Sequence, residues 1–149
     1  MGYGILQSTR LQTLGFALTD PSVGQLAWII EKFRAFSDCR DSPEEVISRD
    51  TLLTNVMLYW LTGTATSSAR LHYETAHART GFAGATVPSS TPTGLASFPT
   101  DTSVPVRHLA ERTDNIVHWT ELAGGGHFPG LETPDLLRTD LQTLLHNLR

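Results

Sequence analysis

The second half of the chain alternates short apolar runs with helical patterns, and this order constrains the fold most strongly. Residues 94–98 and 116–122 have the pattern of buried strands. Between them, the pattern of residues 105–113 predicts a short helix, and a last amphipathic helix is predicted to begin at Thr133. Strands that alternate with helices belong to a parallel sheet in an α/β protein. Because two strands do not make a stable sheet covered on both faces, we expect this sheet to need further strands.

The first half differs, because its patterns are helical almost throughout. Residues 1–18 show no clean period, and residues 79–93 are rich in Gly, Pro, Ser and Thr, which predicts a loop. Between them we predict four helical pieces, over residues 19–36, 42–45, 50–63 and 65–77. Thr19 or Asp20 caps the first, Ser42 the second and Asp50 the third. We therefore divide the chain into a helical segment, residues 1–78, and an α/β segment, residues 79–149.

Composition excludes several classes of protein. A net charge of −4 on 149 residues argues against a general nucleic-acid binder, and 40% hydrophobic residues argue against disorder. Cys39 is the single cysteine, and no Cys/His spacing is typical of a zinc site. The longest apolar run, residues 56–61, is too short to cross a bilayer, and residues 1–20 lack a signal-peptide layout. We expect a soluble, cytoplasmic protein without a metal, a cofactor, a nucleic-acid partner or a membrane partner.

Two polar residues follow the two predicted strands. Asp101 comes shortly after the first strand, and His127 comes after the second strand and three glycines. Ligands of open α/β sheets bind at the carboxyl ends of the strands, and a carboxylate can orient an imidazole that removes a proton from water. Acid before histidine is also the order of the last two triad members in α/β-hydrolases. The alternative also stays open: Asp101 is then a turn residue and His127 an ordinary surface histidine.

Four separated blocks carry a resemblance to a known family. In order, GYGILQSTRLQTLGFALTDPSVGQLAWIIEKF, DTLLTNVMLYWLTGTATSSAR, TGLASFPTD and AGGGHFPGLETPDLL resemble the C-terminal half of the microsomal-type epoxide hydrolases, in the α/β-hydrolase superfamily. The resemblance runs from Tyr3 to about Leu145. It implies a partial α/β-hydrolase fold, in which a helical lid segment precedes the last two strands and the C-terminal helices. It also implies conversion of an epoxide and water to a vicinal diol, in epoxide metabolism and detoxification.

The resemblance implies roles for individual residues. In the family, a carboxylate attacks the epoxide and forms an alkyl-enzyme ester, two lid tyrosines donate hydrogen bonds to the epoxide oxygen, and a histidine activates the water that hydrolyses the ester. His127 matches that base, Asp101 its acid and Tyr3 the first tyrosine. His72 occupies the position of the second tyrosine, and Tyr73 follows it. Since neighbouring helical residues point about 100° apart, Tyr73 does not replace the missing phenol without a register shift.

The nucleophile has no match in this sequence. No strand-turn-helix elbow precedes Asp101, and the resemblance places the nucleophile upstream of Tyr3, so we expect a fragment that carries the base, its acid and the lid tyrosine but lacks the nucleophile. One alternative is an inactive or partner-dependent remnant that self-associates through its exposed lid or sheet edge. Another is a small serine hydrolase that uses Ser67, which precedes Asp101 and His127 in triad order.

Overall fold

A computed structural model describes residues 2–19, 22–78 and 88–148. In these residues eight α-helices, one short 3-10 helix and a two-stranded sheet are found. In chain order the elements are α1 (Gly2–Thr9), α2 (Leu11–Thr19), α3 (Ser22–Phe36), the 3-10 helix (Pro43–Glu45), α4 (Arg49–Thr62), α5 (Ala65–His77), β1 (Ser89–Ser97), α6 (Arg107–Ala110), β2 (Asp114–Glu121), α7 (Pro129–Glu132) and α8 (Pro134–Asn147).

The described residues form two compact units, and the first is entirely helical. It comprises residues 2–19, 22–32 and 49–78. Leu14, Leu18 and Ala65 make its buried apolar cluster, against which Trp28 and Tyr59 pack. Gln25 is 1% exposed in this unit and donates a hydrogen bond from Nε2 to the Val56 carbonyl at 3.2 Å, so that one buried polar side chain links α3 to α4.

The second unit comprises residues 33–48 and 88–148 and contains the sheet. β1 and β2 run parallel, with Leu95 opposite Trp119, and α6 lies in the connection between them. α8 packs on β1, and the Leu144 side chain occupies the space that a Cβ on Gly94 would need. The parallel order predicted from the alternation of strands and helices is therefore confirmed for these two strands.

Local sequence signals account for several element ends. Ser42 and Glu45 form the predicted capping box: Ser42 Oγ accepts from the Glu44 N–H at 3.3 Å, and Glu45 Oε1 accepts from the Ser42 N–H at 2.8 Å. α4 ends at Thr62, directly before Gly63, whose φ of +63° lies in the left-handed region that favours glycine. α8 begins at Pro134, as the Thr133-Pro134-Asp135 signal predicts.

Other boundaries differ from the prediction. β1 already begins at Ser89, inside the predicted loop, because β2 offers the backbone of residues 89–93 a parallel partner despite Pro92. The helix predicted over residues 105–113 is only the single turn of α6, since Pro105 lies outside it and residues 111–113 turn into β2. α4 begins at Arg49, one residue before the predicted cap Asp50.

Some segments gave no correct prediction or cannot be compared. Residues 1–18, which showed no period, contribute α1 and most of α2, and α7 was not predicted. The cap residue Asp20 and residues 79–87 of the predicted loop lie outside the described residues. No described helix combines the length and the apolar character needed to cross a membrane.

Candidate active site

The turns that follow β1 and β2 bring Asp101 and His127 together. His127 Nδ1 lies 2.7 Å from Asp101 Oδ1, although 26 residues separate the two in sequence. Because the strands are parallel neighbours, their carboxyl ends lie at one edge of the sheet, and the segments that follow them meet there. The parallel order of the strands therefore builds this pair.

The pair defines the state of both groups. A carboxylate only accepts hydrogen bonds, so Nδ1 carries the proton in this pair, and Nε2 is the nitrogen available as a base in the neutral imidazole. Partial burial raises the pKa of Asp101, but the hydrogen bond from His127, those from the Thr102 N–H and hydroxyl, and the charge of His127 outweigh it. The net pKa of Asp101 is lowered, and the carboxylate stays ionised at neutral pH. This arrangement can accept a proton at Nε2 and stabilise the resulting imidazolium.

Two aromatic rings hold the His127 imidazole. Phe36 and Phe128 both contact it edge to face, with ring centroids 5.8 and 5.2 Å away. The backbone is fixed as well, since the His127 N–H donates to the Phe36 carbonyl at 2.8 Å. About half of the side chain, 47%, remains exposed, so water reaches the ring.

Glycines shape the turn before His127. Gly125 has a φ of +103°, which side-chain-bearing residues rarely adopt, and its carbonyl accepts from the Thr100 hydroxyl at 2.8 Å. Gly126 is buried, and a Cβ there would overlap the Phe36 carbonyl oxygen. These two glycines allow the turn after β2 to approach the turn after β1 and the end of α3.

Two carboxylates that the sequence analysis missed bind the same turn. Glu132 accepts from the N–H groups of Gly126 and Phe128, and Asp38 Oδ2 accepts from the Gly125 N–H at 3.0 Å. Glu132 lies five residues after His127, which was the one available signal, whereas Asp38 is 87 residues from Gly125.

A second histidine–carboxylate pair lies deeper in the same unit. His118 Nε2 is 2.7 Å from Asp140 Oδ1, and the Thr120 hydroxyl lies 3.0 Å from the same nitrogen. The two side chains are only 11% and 7% exposed. Burial raises the pKa of Asp140, but hydrogen bonds from Thr120 and His118 and the His118 charge outweigh it, so the pKa is lowered. The pair joins β2 to α8.

In the helical unit, Tyr3 and His72 lie together. Their ring centroids are 5.8 Å apart in an edge-to-face arrangement. Tyr73 instead stacks on His77, with centroids 4.1 Å apart, so it is His72 that lies beside Tyr3. The Lys32 ammonium lies over the Tyr3 ring, 5.3 Å from its centroid, and burial lowers the pKa of this amine.

Ser67, the alternative nucleophile, occupies an ordinary helical position. Ser67 lies in the first turn of α5, which follows helix α4 and not a strand, and its hydroxyl donates to the Thr64 carbonyl at 3.0 Å. The local structure at Ser67 is therefore not a strand-to-helix elbow. Throughout residues 2–19, 22–78 and 88–148, no group of three or more His, Cys, Asp or Glu side chains is arranged to hold a metal ion.

Comparison with known proteins shows what the chain is similar to. No protein-family model matches the chain. The chain is 41% identical over 149 residues to a Stigmatella aurantiaca protein provisionally named an epoxide hydrolase, covering 99% of the chain and 33% of that protein. It is 36% identical over 152 residues to epoxide hydrolase 1 of Sus scrofa, covering 97% of the chain and 34% of that protein. By sequence, nearly the whole chain is therefore similar to part of these epoxide hydrolases.

Solved structures agree with this family. The juvenile hormone epoxide hydrolase of Bombyx mori superposes with a TM-score of 0.85 at 27% identity, covering 97% of this chain and 39% of that one. The Aspergillus niger epoxide hydrolase superposes with a TM-score of 0.81 at 31% identity, covering 99% of this chain and 36% of that one. The predicted fold is confirmed as the C-terminal part of an epoxide hydrolase α/β-hydrolase fold, and the chain spans about a third of the length of the curated relatives.

Proposed function

We propose that this epoxide hydrolase segment supplies the groups that hydrolyse an alkyl-enzyme ester. His127 is the base, Asp101 its acidic partner, and the nucleophile comes from residues outside these 149. The observation that carries the proposal is the 2.7 Å contact between His127 Nδ1 and Asp101 Oδ1 after two adjacent parallel strands. The overall reaction converts a small-molecule epoxide and water to a vicinal diol, with no metal or cofactor.

The second half-reaction is the one that these residues perform. His127 Nε2 takes a proton from water as the water oxygen attacks the ester carbonyl carbon. A tetrahedral intermediate forms, the bond to the alkyl oxygen breaks, and the imidazolium returns its proton to the departing alkoxide. The diol leaves as the other product, the carboxylic acid, loses its proton to solvent, which regenerates the nucleophilic carboxylate and balances the proton that the epoxide oxygen gained on ring opening. Asp101 stabilises the imidazolium through the Nδ1 proton and keeps the ring in the productive tautomer.

Ring opening depends on donors to the epoxide oxygen. We assign Tyr3 as one donor, because a phenol can donate to an alkoxide as negative charge develops, and that stabilisation is largest in the transition state. His72 lies against Tyr3 and fills the position of the second family tyrosine. An imidazole N–H donates with a different geometry from a phenol, so we expect slower ring opening than with two tyrosines.

A partner-dependent or inactive segment is the second candidate. Apolar side chains on α8 are exposed, Leu141 by 46% and Leu145 by 59%, and such a surface favours association with another chain or with a second copy. We propose that the isolated chain turns over no epoxide and that it associates through these exposed residues.

The test compares the chain alone with a chimera. In the chimera, these 149 residues replace the matching segment of the Aspergillus niger epoxide hydrolase, whose structure superposes over 99% of the chain. We expect no diol from the chain alone, diol from styrene oxide with the chimera, and loss of that diol in the His127→Gln and Asp101→Asn chimeras. A folded chimera without activity beside an active parent enzyme would contradict the proposal.

The serine alternative has its own readout. Ser67→Ala in the isolated chain tests hydrolysis of a p-nitrophenyl ester. We expect no Ser67-dependent ester cleavage, because Ser67 lies within a helix and donates its hydroxyl to a backbone carbonyl. Cleavage that disappears in this variant would instead support a serine hydrolase.

A further inference from the structure

We propose that Glu132 is the positioning residue for the catalytic histidine. Its two carboxylate oxygens receive the backbone N–H groups on either side of His127: Oε2 accepts from Gly126 at 3.0 Å, and Oε1 accepts from Phe128 at 2.8 Å. Oε2 also accepts from the Asp38 N–H at 2.6 Å. One side chain therefore ties both flanks of His127 to the segment after α3. The inference deepens the proposed function and takes its catalytic meaning from it.

Three hydrogen bonds restrain the backbone around His127. The N–H groups of residues 126, 127 and 128 all have acceptors, two on Glu132 and one on the Phe36 carbonyl at 2.8 Å. Rotation about the backbone of His127 would break at least one of these bonds. Since the Cα–Cβ direction follows the backbone, the carboxylate also fixes where the imidazole begins its reach toward Asp101.

Charge makes Glu132 better suited to this task than a neutral acceptor. Hydrogen bonds to an ionised carboxylate are shorter and about twice as strong as those between neutral groups. A side chain with one acceptor oxygen could not offer a separate oxygen to each of the Gly126 and Phe128 N–H groups, as Glu132 does with Oε2 and Oε1. Asp38 also binds the turn, but through the Gly125 N–H, so it does not hold the residues adjacent to His127.

α7 explains why Glu132 can reach back. Its single turn begins directly after Phe128, and the Glu132 N–H donates to the Phe128 carbonyl at 3.0 Å. This turn returns the side chain of Glu132 to the N–H of Phe128, four residues earlier. Pro129, the first residue of α7, has no N–H and a fixed φ that suits this start. The sequence from His127 to Glu132 is thus a local device that delivers a carboxylate to the turn.

The positioning role predicts a selective kinetic effect. Ester hydrolysis requires Nε2 to address a water next to the ester, and a misplacement of about 1 Å costs on the order of 100-fold. Ring opening does not use His127. In the chimera, Glu132→Ala therefore slows ester hydrolysis by roughly 10- to 100-fold and leaves the rate of ester formation within about twofold, measured by single-turnover kinetics.

A spectroscopic test on the complete 149-residue chain is independent of turnover. In Glu132→Ala we expect the hydrogen-bonded Nδ1 proton of His127 to broaden or shift upfield, and the amides of Gly126 and Phe128 to exchange at least about tenfold faster. Glu132→Gln keeps one oxygen and a similar size, so protection is lost at one of the two amides only. Glu111→Ala is the matched control, because it removes an exposed glutamate paired with Arg107 at 2.8 Å.

The outcomes separate the two proposals. Unchanged amide exchange and an unchanged Nδ1 proton in both Glu132 variants would overturn the positioning role, whatever the chimera does. A chimera without activity, together with the expected spectroscopic changes, would contradict the proposed function and leave standing the role of Glu132 in fixing the His127 turn. Equal slowing of ester formation and ester hydrolysis would also count against positioning, because it would indicate general loss of structure.

Discussion

Replacement of Gly126 by alanine is the sharpest perturbation of the candidate site. A Cβ at this position would overlap the Phe36 carbonyl oxygen and would lie 3.0 Å from Thr100 Oγ1 and 3.1 Å from the Asp38 nitrogen. Two of these neighbours are backbone atoms, which cannot rotate away as a side chain can. The turn that carries His127 must therefore move off the segment that follows α3.

The size of the effect follows from the contacts that this movement disturbs. Overpacking of a buried site costs about 1–3 kcal/mol. The displacement also weakens two hydrogen bonds, His127 N–H to the Phe36 carbonyl and Gly126 N–H to Glu132, each worth about 0.5–1.5 kcal/mol. We expect the second unit of Gly126→Ala to lose about 2–6 kcal/mol of stability if both bonds break.

Native-state amide exchange measures this loss within the second unit alone. Suitable probes are ladder amides such as Leu122, whose N–H donates to the Ser97 carbonyl at 2.9 Å. Gly124→Ala is the matched control, because its new Cβ would meet only Asp38 Oδ2, at 3.7 Å, and it should change stability by less than about 0.5 kcal/mol. Equal stability of the two variants would refute the argument that the backbone at residue 126 requires glycine.

Three further predictions use other contacts. Because the pKa of Asp101 is lowered in the folded protein, its stabilising contribution is present above the unfolded value of about 3.9 and is lost as pH falls through the folded pKa. The difference in urea-denaturation stability between wild type and Asp101→Asn should therefore shrink from pH 7 to pH 3. A constant difference would contradict this. Asp140→Asn should cost about 1.5–3 kcal/mol at pH 7, more than Asp101→Asn does, because the pair with His118 is more buried; an equal or smaller cost in the same assay would argue against this. Gly15→Ala would place a Cβ 2.6 Å from Thr66 Cγ2 and should lower stability by about 1–3 kcal/mol. In a double-mutant cycle, adding Thr66→Ala should recover most of that loss. Additive effects of the two substitutions would exclude this clash.

Local signals in the sequence predicted much of the fold. The capping box at Ser42 and Glu45 and the start of α8 at Pro134 depend on residues within one helical turn, and both lie where the pattern indicates. The parallel order of β1 and β2 follows from the helix between them. The resemblance to epoxide hydrolases supplied the architecture that two strands cannot specify.

Contacts between distant segments could not be predicted from the sequence. Ser89 to Thr93 join β1 because β2 pairs with them, although Pro92 and the surrounding polar residues indicate a loop. Asp38 binds the histidine turn from 87 residues away, and its own N–H meets Glu132 across 94 residues. No periodicity or motif encodes such pairs in a single sequence, since they depend on how the end of α3 packs against the turn.

Mass spectrometry of the His127→Gln chimera tests the central claim most directly. With the base removed, the first half-reaction should proceed and the second should stop. We predict that the protein gains the mass of one epoxide molecule, that the adduct persists, and that the wild-type chimera shows no such accumulation while it releases diol. Steady diol release by the His127→Gln chimera with no adduct would contradict the assignment of His127 and Asp101 as the ester-hydrolysing pair.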